Sequence, residues 1–300
     1  MRINSINTYL PSFSSSTRTK YKVKETGKQY THQYYSMDPA YSLMVQGLNP
    51  NYSPVRIVNS NYTTFFRDDI NNWNATAEAL GDAFKDVDKV NVYNFACSDG
   101  SEPYSLAMSL IETLGEEEAK KFFPINALDI DSVILNKAQK GELFCSSKDI
   151  KKINKYTSSK MDKYFEKVFD LGDSDTTVRV LPILKDNVIF QKANFTEKIK
   201  QIDTPNNLIL CRNFWRYLPH NKTAGALIAL RHLGDNARFM FGDFDSADSC
   251  DSELPYHFRM AGIAYDTANV YKIDPEIAAK YTDEQIAQSA KKGVYYSECY

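Results

Sequence analysis

The sequence predicts an α/β fold built on a mainly parallel sheet, and three observations carry that expectation. Short apolar runs alternate with helical spacings through the middle of the chain, the pattern of strands joined by crossover helices. One of those runs, Val92-Tyr93-Asn94-Phe95, enters a turn of small residues around Gly100 and passes directly into a helix. At 300 residues, 43% of them hydrophobic, the chain is long enough for one large α/β domain or two small ones.

Each element has its own local reason. Gly100 lets the backbone approach a ligand closely, Asp99 or Ser101 offers a helix cap, and Pro103 suits a first helical turn. Leu106, Ala107, Leu110, Ile111 and Leu114 recur at helical spacing until Gly115 stops the helix. A second apolar run, Ile125 to Asp129, is followed by a helix that stops near Gly141. The long stretch from Cys145 to Lys185, with Tyr164-Phe165 and Val178-Arg179-Val180, is expected to form a small lid or inserted subdomain. A strand at Leu208 to Cys211 leads to a helix from Lys222 to Leu233, closed by Gly234. Arg238 to Phe241 reads as a further strand, and Gly262 to Lys272 as an antiparallel hairpin. Asp274-Pro275-Glu276 and Thr282-Asp283-Glu284-Gln285 are helix starts. The expected organisation is therefore an arm over 1–40, one domain over 41–273 and a helical tail over 274–300.

Composition excludes several classes. Thirty-six Lys and Arg stand against 38 Asp and Glu, a net charge of −2, so no global basic excess points to nucleic acid. Five cysteines make an odd count without C-x-x-C, which argues against disulfide staples and a zinc site and for a reducing, cytoplasmic compartment. His32, His220, His232 and His257 lack metal spacing, so no metal is expected. No apolar run is long enough to cross a bilayer, and the first residues lack the apolar centre of a secretory signal. The arm holds Arg2, Arg18, Lys20, Lys22, Lys24 and Lys28 against only Glu25 and Asp38. It reads as a solvated segment or as a docking arm for an acidic partner. Nothing in the sequence speaks to oligomeric state.

The chemistry of the Gly100 turn narrows the ligand. Neither G-x-x-x-x-G-K-[ST] nor G-x-G-x-x-G is present, and Glu102 at the loop exit would repel a pyrophosphate. Asp129 closes the second strand, where nucleoside-binding sheets grip ribose hydroxyls. Both acids also suit simple helix capping. S-adenosylmethionine carries a ribose, an ammonium and a sulfonium but no phosphate, and it is the ligand these acids best fit.

Four segments in order give the chain a family resemblance. Cys97-Ser98-Asp99-Gly100-Ser101-Glu102-Pro103-Tyr104-Ser105-Leu106-Ala107-Met108 resembles the cofactor loop of CheR-type protein-glutamate methyltransferases of bacterial chemotaxis. Asn61-Tyr62-Thr63-Thr64-Phe65-Phe66-Arg67-Asp68 is similar to that family's N-x-T-x-F-F-R entry segment. Ala127-Leu128-Asp129-Ile130-Asp131 resembles its acidic second strand, and Leu208-Ile209-Leu210-Cys211-Arg212-Asn213 with Tyr217 its C-R-N-x-x-x-Y motif. Val188 to Phe195 matches, more weakly, a strand ending in Asn-Leu.

The resemblance implies a class I, Rossmann-like methyltransferase fold with a C-terminal antiparallel hairpin and an inserted subdomain. It implies cofactor contacts at Asn61, Thr63, Arg67, Cys97, Gly100, Glu102, Asp129, Asn194, Phe195, Arg212 and Asn213. Glu102 is expected near the cofactor's amino-acid end, Asp129 on the ribose, and Asn194 and Phe195 beside the adenine. Arg67, Arg212 and Tyr217 are the implied catalytic residues, orienting an acceptor carboxylate. Such an acceptor is already ionised at neutral pH, so its esterification needs placement rather than a base. Departures are Ser101 for a second glutamate, Leu128 for a small polar residue, and Gly242-Asp243-Phe244-Asp245 for a glycine followed by Ser-Glu. The front of the chain is also short, and unlike the family's N-terminal helical domain, and no C-terminal receptor-docking domain is expected. The expected activity is methyl transfer to a carboxylate oxygen, of a protein glutamate on an acidic partner. A different acceptor, or a silent cofactor-binding module, remains compatible with the same residues.

Overall fold

A computed structural model describes residues 63–170, 175–215, 218, 220–242, 245 and 254–292. Asn61, Tyr217, the basic arm and the aromatic end of the tail lie outside the described residues.

The main sheet has seven strands in the order β6-β2-β1-β7-β8-β10-β9. These are β1 (Asn91–Phe95), β2 (Ile125–Asp129), β6 (Val188–Lys192), β7 (Asn207–Cys211), β8 (Arg238–Met240), β9 (Ile263–Thr267) and β10 (Val270–Ile273). The first five run parallel, with Val92 opposite Ile125 on one side and Phe95 opposite Cys211 on the other. β10 turns back antiparallel to both β8 and β9, the expected terminal hairpin.

Both faces of the sheet are covered, as its sequence requires. All five residues of β7, Asn207 to Cys211, are buried, and alternate residues feed two cores. Val92, Leu208 and Leu210 pack with α1 (Trp73–Ala83) and α2 (Ser101–Leu114). Phe95, Ile209 and Cys211 pack on the other face with α5 (His220–Arg231) and with Ile286 of α7 (Asp283–Lys292). A parallel sheet sandwiched between helix layers shows this unbroken apolar character instead of a polar alternation.

The stretch after α3 (Ser132–Lys140) forms a second sheet, as expected of an insert. β3 (Glu142–Cys145), β5 (Thr176–Val180) and β4 (Phe165–Asp170) pair antiparallel in that order. Here the alternation is clean. Leu143, Cys145, Val178 and Val180 face inward, while Arg179 reaches outward to Glu142 and Glu166 at 2.9 and 3.0 Å. Between β3 and β4 lies α4 (Ser147–Tyr156), opened by a reciprocal cap in which Ser146 accepts from the Asp149 N–H and Asp149 from the Ser146 N–H.

Several boundaries follow the sequence reading closely. Gly115 and Gly141 have φ of 83° and 71° and cap the ends of α2 and α3, while Gly234, at φ 80°, stands three residues past Arg231. Thr282 and Gln285 cap α7 reciprocally, and Asp274 accepts from the Ile277 N–H at 3.0 Å. Three details differ. The strand at Arg238 is one residue shorter than read, and the helix before it spans His220–Arg231 instead of Lys222 to Leu233. The cap of α2 is not a side chain: Gly100 occupies that position in the left-handed region at φ 96°, and Asp99 instead accepts from the Ser101 N–H and hydroxyl.

Candidate functional site

Strand order reverses between β1 and β7, because the chain builds β1, β2 and β6 on one side before crossing back to β7 and β8. The crevice at the carboxyl ends of those two strands is where open α/β sheets bind ligands. The segments that leave them carry Cys97, Gly100, Glu102, Arg212 and Asn213 of the expected site residues.

The loop after β1 is built from alternating left-handed residues, Ala96, Ser98 and Gly100, with φ of 53°, 51° and 96°. Two of them are not glycine, so the loop holds a costly backbone that its neighbours must stabilise. The Cys97 N–H donates to Leu128 O at 3.1 Å and the Ser98 N–H to Asp129 Oδ2 at 2.9 Å, binding the loop to the end of β2. Gly100 is packed against aromatic rings: a Cβ there would stand 2.8 Å from Phe190 and 3.1 Å from Tyr104.

Asp129 is oriented by two backbone donors, the Ser98 N–H on Oδ2 and the Asp131 N–H on Oδ1, both at 2.9 Å. A carboxylate offers about four acceptor positions, so two remain for hydroxyl donors. Burial raises its pKa, and the two N–H groups pull it back in part.

Across the crevice Glu102 meets Arg212. Arg212 Nη1 donates to Glu102 Oε2 at 2.6 Å, and Asn94 Nδ2 donates to Glu102 Oε1 at 2.6 Å. The other arm of the guanidinium donates to Asp69. Arg212 is wholly buried, and its plane lies over the Trp73 ring at 5.1 Å. Burial pushes the Glu102 carboxyl up; Arg212 opposes that most strongly, and Arg67 adds a further pull downward. Asn213, left-handed at φ 63°, donates through Nδ2 to Asp69 Oδ2 at 2.6 Å. Its backbone N–H donates to Asp245, which also accepts from Trp215 at 3.3 Å and Gly242 at 3.4 Å. Asp69 and Asp245 were not among the expected site residues.

The remaining candidates are placed as follows. Cys97 and Cys211 are buried thiols whose pKa values burial drives well above the ordinary range; for Cys97 the Asp129, Glu102 and Asp99 carboxylates add to the effect. Both thiols are therefore held in the neutral form. Thr63 and Arg67 are half-buried in the entry segment. Asn194 caps a short helix, accepting from the Thr196 N–H at 3.0 Å, and the adjoining Ala193 N–H donates to Asp129 O at 2.9 Å. Phe195 is packed in the core, with its ring 4.9 Å from Phe95 and 5.2 Å from Trp215. Of the histidines whose side chains are described, His232 bonds Asp283 and His257 bonds Ser289, among the C-terminal helices. No cluster of His, Cys, Asp and Glu able to hold a metal occurs among the described residues.

These residues fit S-adenosylmethionine. Asp69, Glu102 and Asp129 outnumber Arg67 and Arg212, which favours a cationic ligand over a phosphate. Two buried polar atoms of this loop and strand, Ser98 Oγ and Asn94 Oδ1, have no partner among the described residues. Asp129 would hold the ribose, and Glu102 the region of the amino-acid end.

Comparison with known proteins agrees. The family described as "CheR methyltransferase, SAM binding domain" matches residues 61–256. The chemotaxis protein methyltransferase of Escherichia coli (strain K12) is 32% identical over 126 residues, 42% of this chain and 41% of that protein. That of Salmonella typhimurium (strain LT2) is 29% identical over 163 residues, 54% of this chain and 52% of that protein. The chain thus spans about half the length of the curated relatives it matches. Among solved structures, the methyltransferase domain of bacterial CtHen1-C aligns with 57% of this chain and 65% of that one, at 11% identity and a TM-score of 0.30. With the family model covering most of the described sheet and every site residue from Asn61 to Asp245, the chain belongs to the CheR methyltransferase family through its S-adenosylmethionine-binding domain.

Proposed function

We propose that this chain transfers a methyl group from S-adenosylmethionine to a carboxylate oxygen, that of a glutamate on a protein. The observation that supports the reading is the match of residues 61–256 to the CheR methyltransferase domain over a crevice whose two acids, Glu102 and Asp129, are each held in place by fixed donors. Arg212 is committed to Glu102 and Asp69, and Arg67 in the entry segment is the residue the family motif assigns to the acceptor side.

The cofactor supplies an electrophilic methyl group on a sulfonium. Every other requirement falls to the chain. Asp129, fixed by two backbone donors, holds the ribose end. Glu102, fixed by Asn94 and Arg212, presents a carboxylate toward the cationic end. Arg67 orients the acceptor oxygen, assisted by the Tyr217 hydroxyl in the position its motif implies. No residue needs to remove a proton, because the nucleophile is an anion at neutral pH. Positioning alone can supply up to roughly 7–11 kcal/mol of the barrier. The basic arm, Arg18 to Lys28, raises encounter with an acidic partner.

Incubation with a bacterial extract and methyl-labelled cofactor should give labelled protein that releases methanol in mild alkali. Alkali-stable label would overturn the ester reading, and absence of turnover would leave a binding module.

A further inference from the structure

The entry segment that carries Arg67 is fixed at several points. Phe66 takes the left-handed region at φ 47°, a costly conformation for an aromatic residue that persists only where its surroundings enforce it. Its N–H donates to Ser105 Oγ of α2 at 2.7 Å. The Arg67 carbonyl accepts from Trp73 Nε1 at 3.1 Å and from the Ile70 N–H at 3.3 Å. Two acids follow Arg67, and the fold treats them oppositely. The Asp68 side chain is 89% exposed and meets Lys152, whereas that of Asp69 is 5% exposed and turns to the segment after β7.

Asp69 divides its two oxygens between two donors there. Oδ1 accepts from Arg212 Nη2, and Oδ2 accepts from Asn213 Nδ2 at 2.6 Å. An amide has a single acceptor oxygen, so an asparagine at 69 could keep one of these bonds but not both. Charge balance does not explain an acid at this place. Arg212 already bonds Glu102 at 2.6 Å. Burial raises the Glu102 carboxyl, Arg212 lowers it, and Asp69 raises it again. A second carboxylate on the one guanidinium thus works against the ionised form of Glu102, and its benefit is geometric. It ties together two segments 143 residues apart in the chain.

We propose that Asp69 is a positioning residue for methyl transfer, fastening the segment that carries Arg67 to Arg212 and Asn213 at the end of β7. The inference rests on the carboxylate reading above, in which Arg67 serves the acceptor and Arg212 fixes Glu102 on the cofactor side. Held by one carboxylate, the two sides of the crevice keep a set separation. Transfer depends on it, because a misplacement of about 1 Å can cost about a hundredfold in rate. Loosening the tie frees the strained turn at Phe66, beside Arg67, and leaves the loop after β1 on its own bonds to β2.

The test compares the full chain with its Asp69→Asn variant, which keeps the shape and loses one bond. Labelling of protein in a bacterial extract, at saturating methyl-labelled S-adenosylmethionine, should fall about tenfold. Calorimetric affinity for S-adenosylhomocysteine should change by less than about twofold. With S-adenosylhomocysteine bound, hydrogen exchange at the Phe66 and Ile70 amides should quicken about tenfold, while the Cys97 and Ser98 amides keep their rates. Asp68→Asn, which removes the same charge one residue earlier, should leave all three readings unchanged. Equal losses of labelling and of S-adenosylhomocysteine affinity would put Asp69 in the cofactor site and overturn the proposal. Unchanged exchange at Phe66 and Ile70, or a rise shared by Cys97 and Ser98, would overturn it as well, and so would matching effects in Asp68→Asn. An unaltered chain that labels no protein, or gives only alkali-stable label, defeats the carboxylate reading instead. The exchange comparison then still decides whether Asp69 ties the two segments.

Discussion

Gly242 and Asn213 lie so close that a Cβ on Gly242 would stand 2.0 Å from the Asn213 side-chain oxygen. The glycine after β8 is thus what allows Asn213 to turn toward Asp69. Gly242→Ala should displace Asn213 and lower stability by about 1–3 kcal/mol, the usual cost of overpacking. Thermal or denaturant unfolding measures the loss, and cofactor affinity should fall with it. A fully stable variant with normal affinity would show that Asn213 has another route.

Asp129→Ala should weaken S-adenosylmethionine binding by about 1–3 kcal/mol, the value of a carboxylate accepting from ribose hydroxyls. Calorimetry on the folded variant gives the number. Unchanged affinity would remove the ribose assignment.

Arg212→Met should destabilise the fold by about 3–5 kcal/mol, because it leaves Glu102 and Asp69 as buried carboxylates without their shared cation. Adding Glu102→Gln to that background should recover part of the loss, since one of the two orphaned charges is then gone. Additive losses in the double variant would mean the pair is energetically independent despite its 2.6 Å contact.

Burial raises the carboxyls of Asp99, Glu102 and Asp129 above their ordinary values. The folded chain therefore holds these protons at a pH where the unfolded chain has released them. Their contribution to stability is greatest below the ordinary carboxylate range of about 4 and declines as pH rises through the raised folded values. Cofactor affinity should run the other way, because ribose hydroxyls donate to ionised Asp129. It should weaken as pH falls from about 7 toward the raised value, at a higher pH than an ordinary aspartate of about 3.9 would give. Asp129→Asn should flatten that profile in calorimetric titrations.

Tyr217→Phe should lower turnover while leaving cofactor affinity nearly unchanged, as an orienting hydroxyl matters chiefly in the transition state. Equal losses of both would make the residue structural.

The parallel strands were legible because buried strands are continuous apolar runs, as Leu208-Ile209-Leu210-Cys211 is. Asp129 was legible because it closes an apolar strand run, and Glu102 because it stands at the exit of the small-residue turn that follows one. Asp69 was not, since Phe66-Arg67-Asp68-Asp69 reads as an apolar entry followed by surface acids, and only the fold brings the second acid to Arg212 and Asn213. Asp245 was visible only as a departure from the family pattern. Its partners are the backbone N–H groups of Asn213, Trp215 and Gly242, and no side-chain spacing encodes them. Phe195 was named from its motif position, and its packing against Phe95 and Trp215 follows only from the fold.

The Arg212 cluster joins residues very distant along the chain: Glu102 is 110 positions away and Asp69 is 143. Contacts of such separation close long loops and form late in assembly. A nascent chain that has made β1, β2 and β6 owns Asp129 and its backbone donors but lacks the Arg212 guanidinium that bonds Glu102. Only the arrival of β7 in the middle of the sheet completes the crevice. Competence to engage the cationic end of the cofactor is therefore gained in one step with closure of the sheet, and a fragment ending before Arg212 should hold strands yet have no working site.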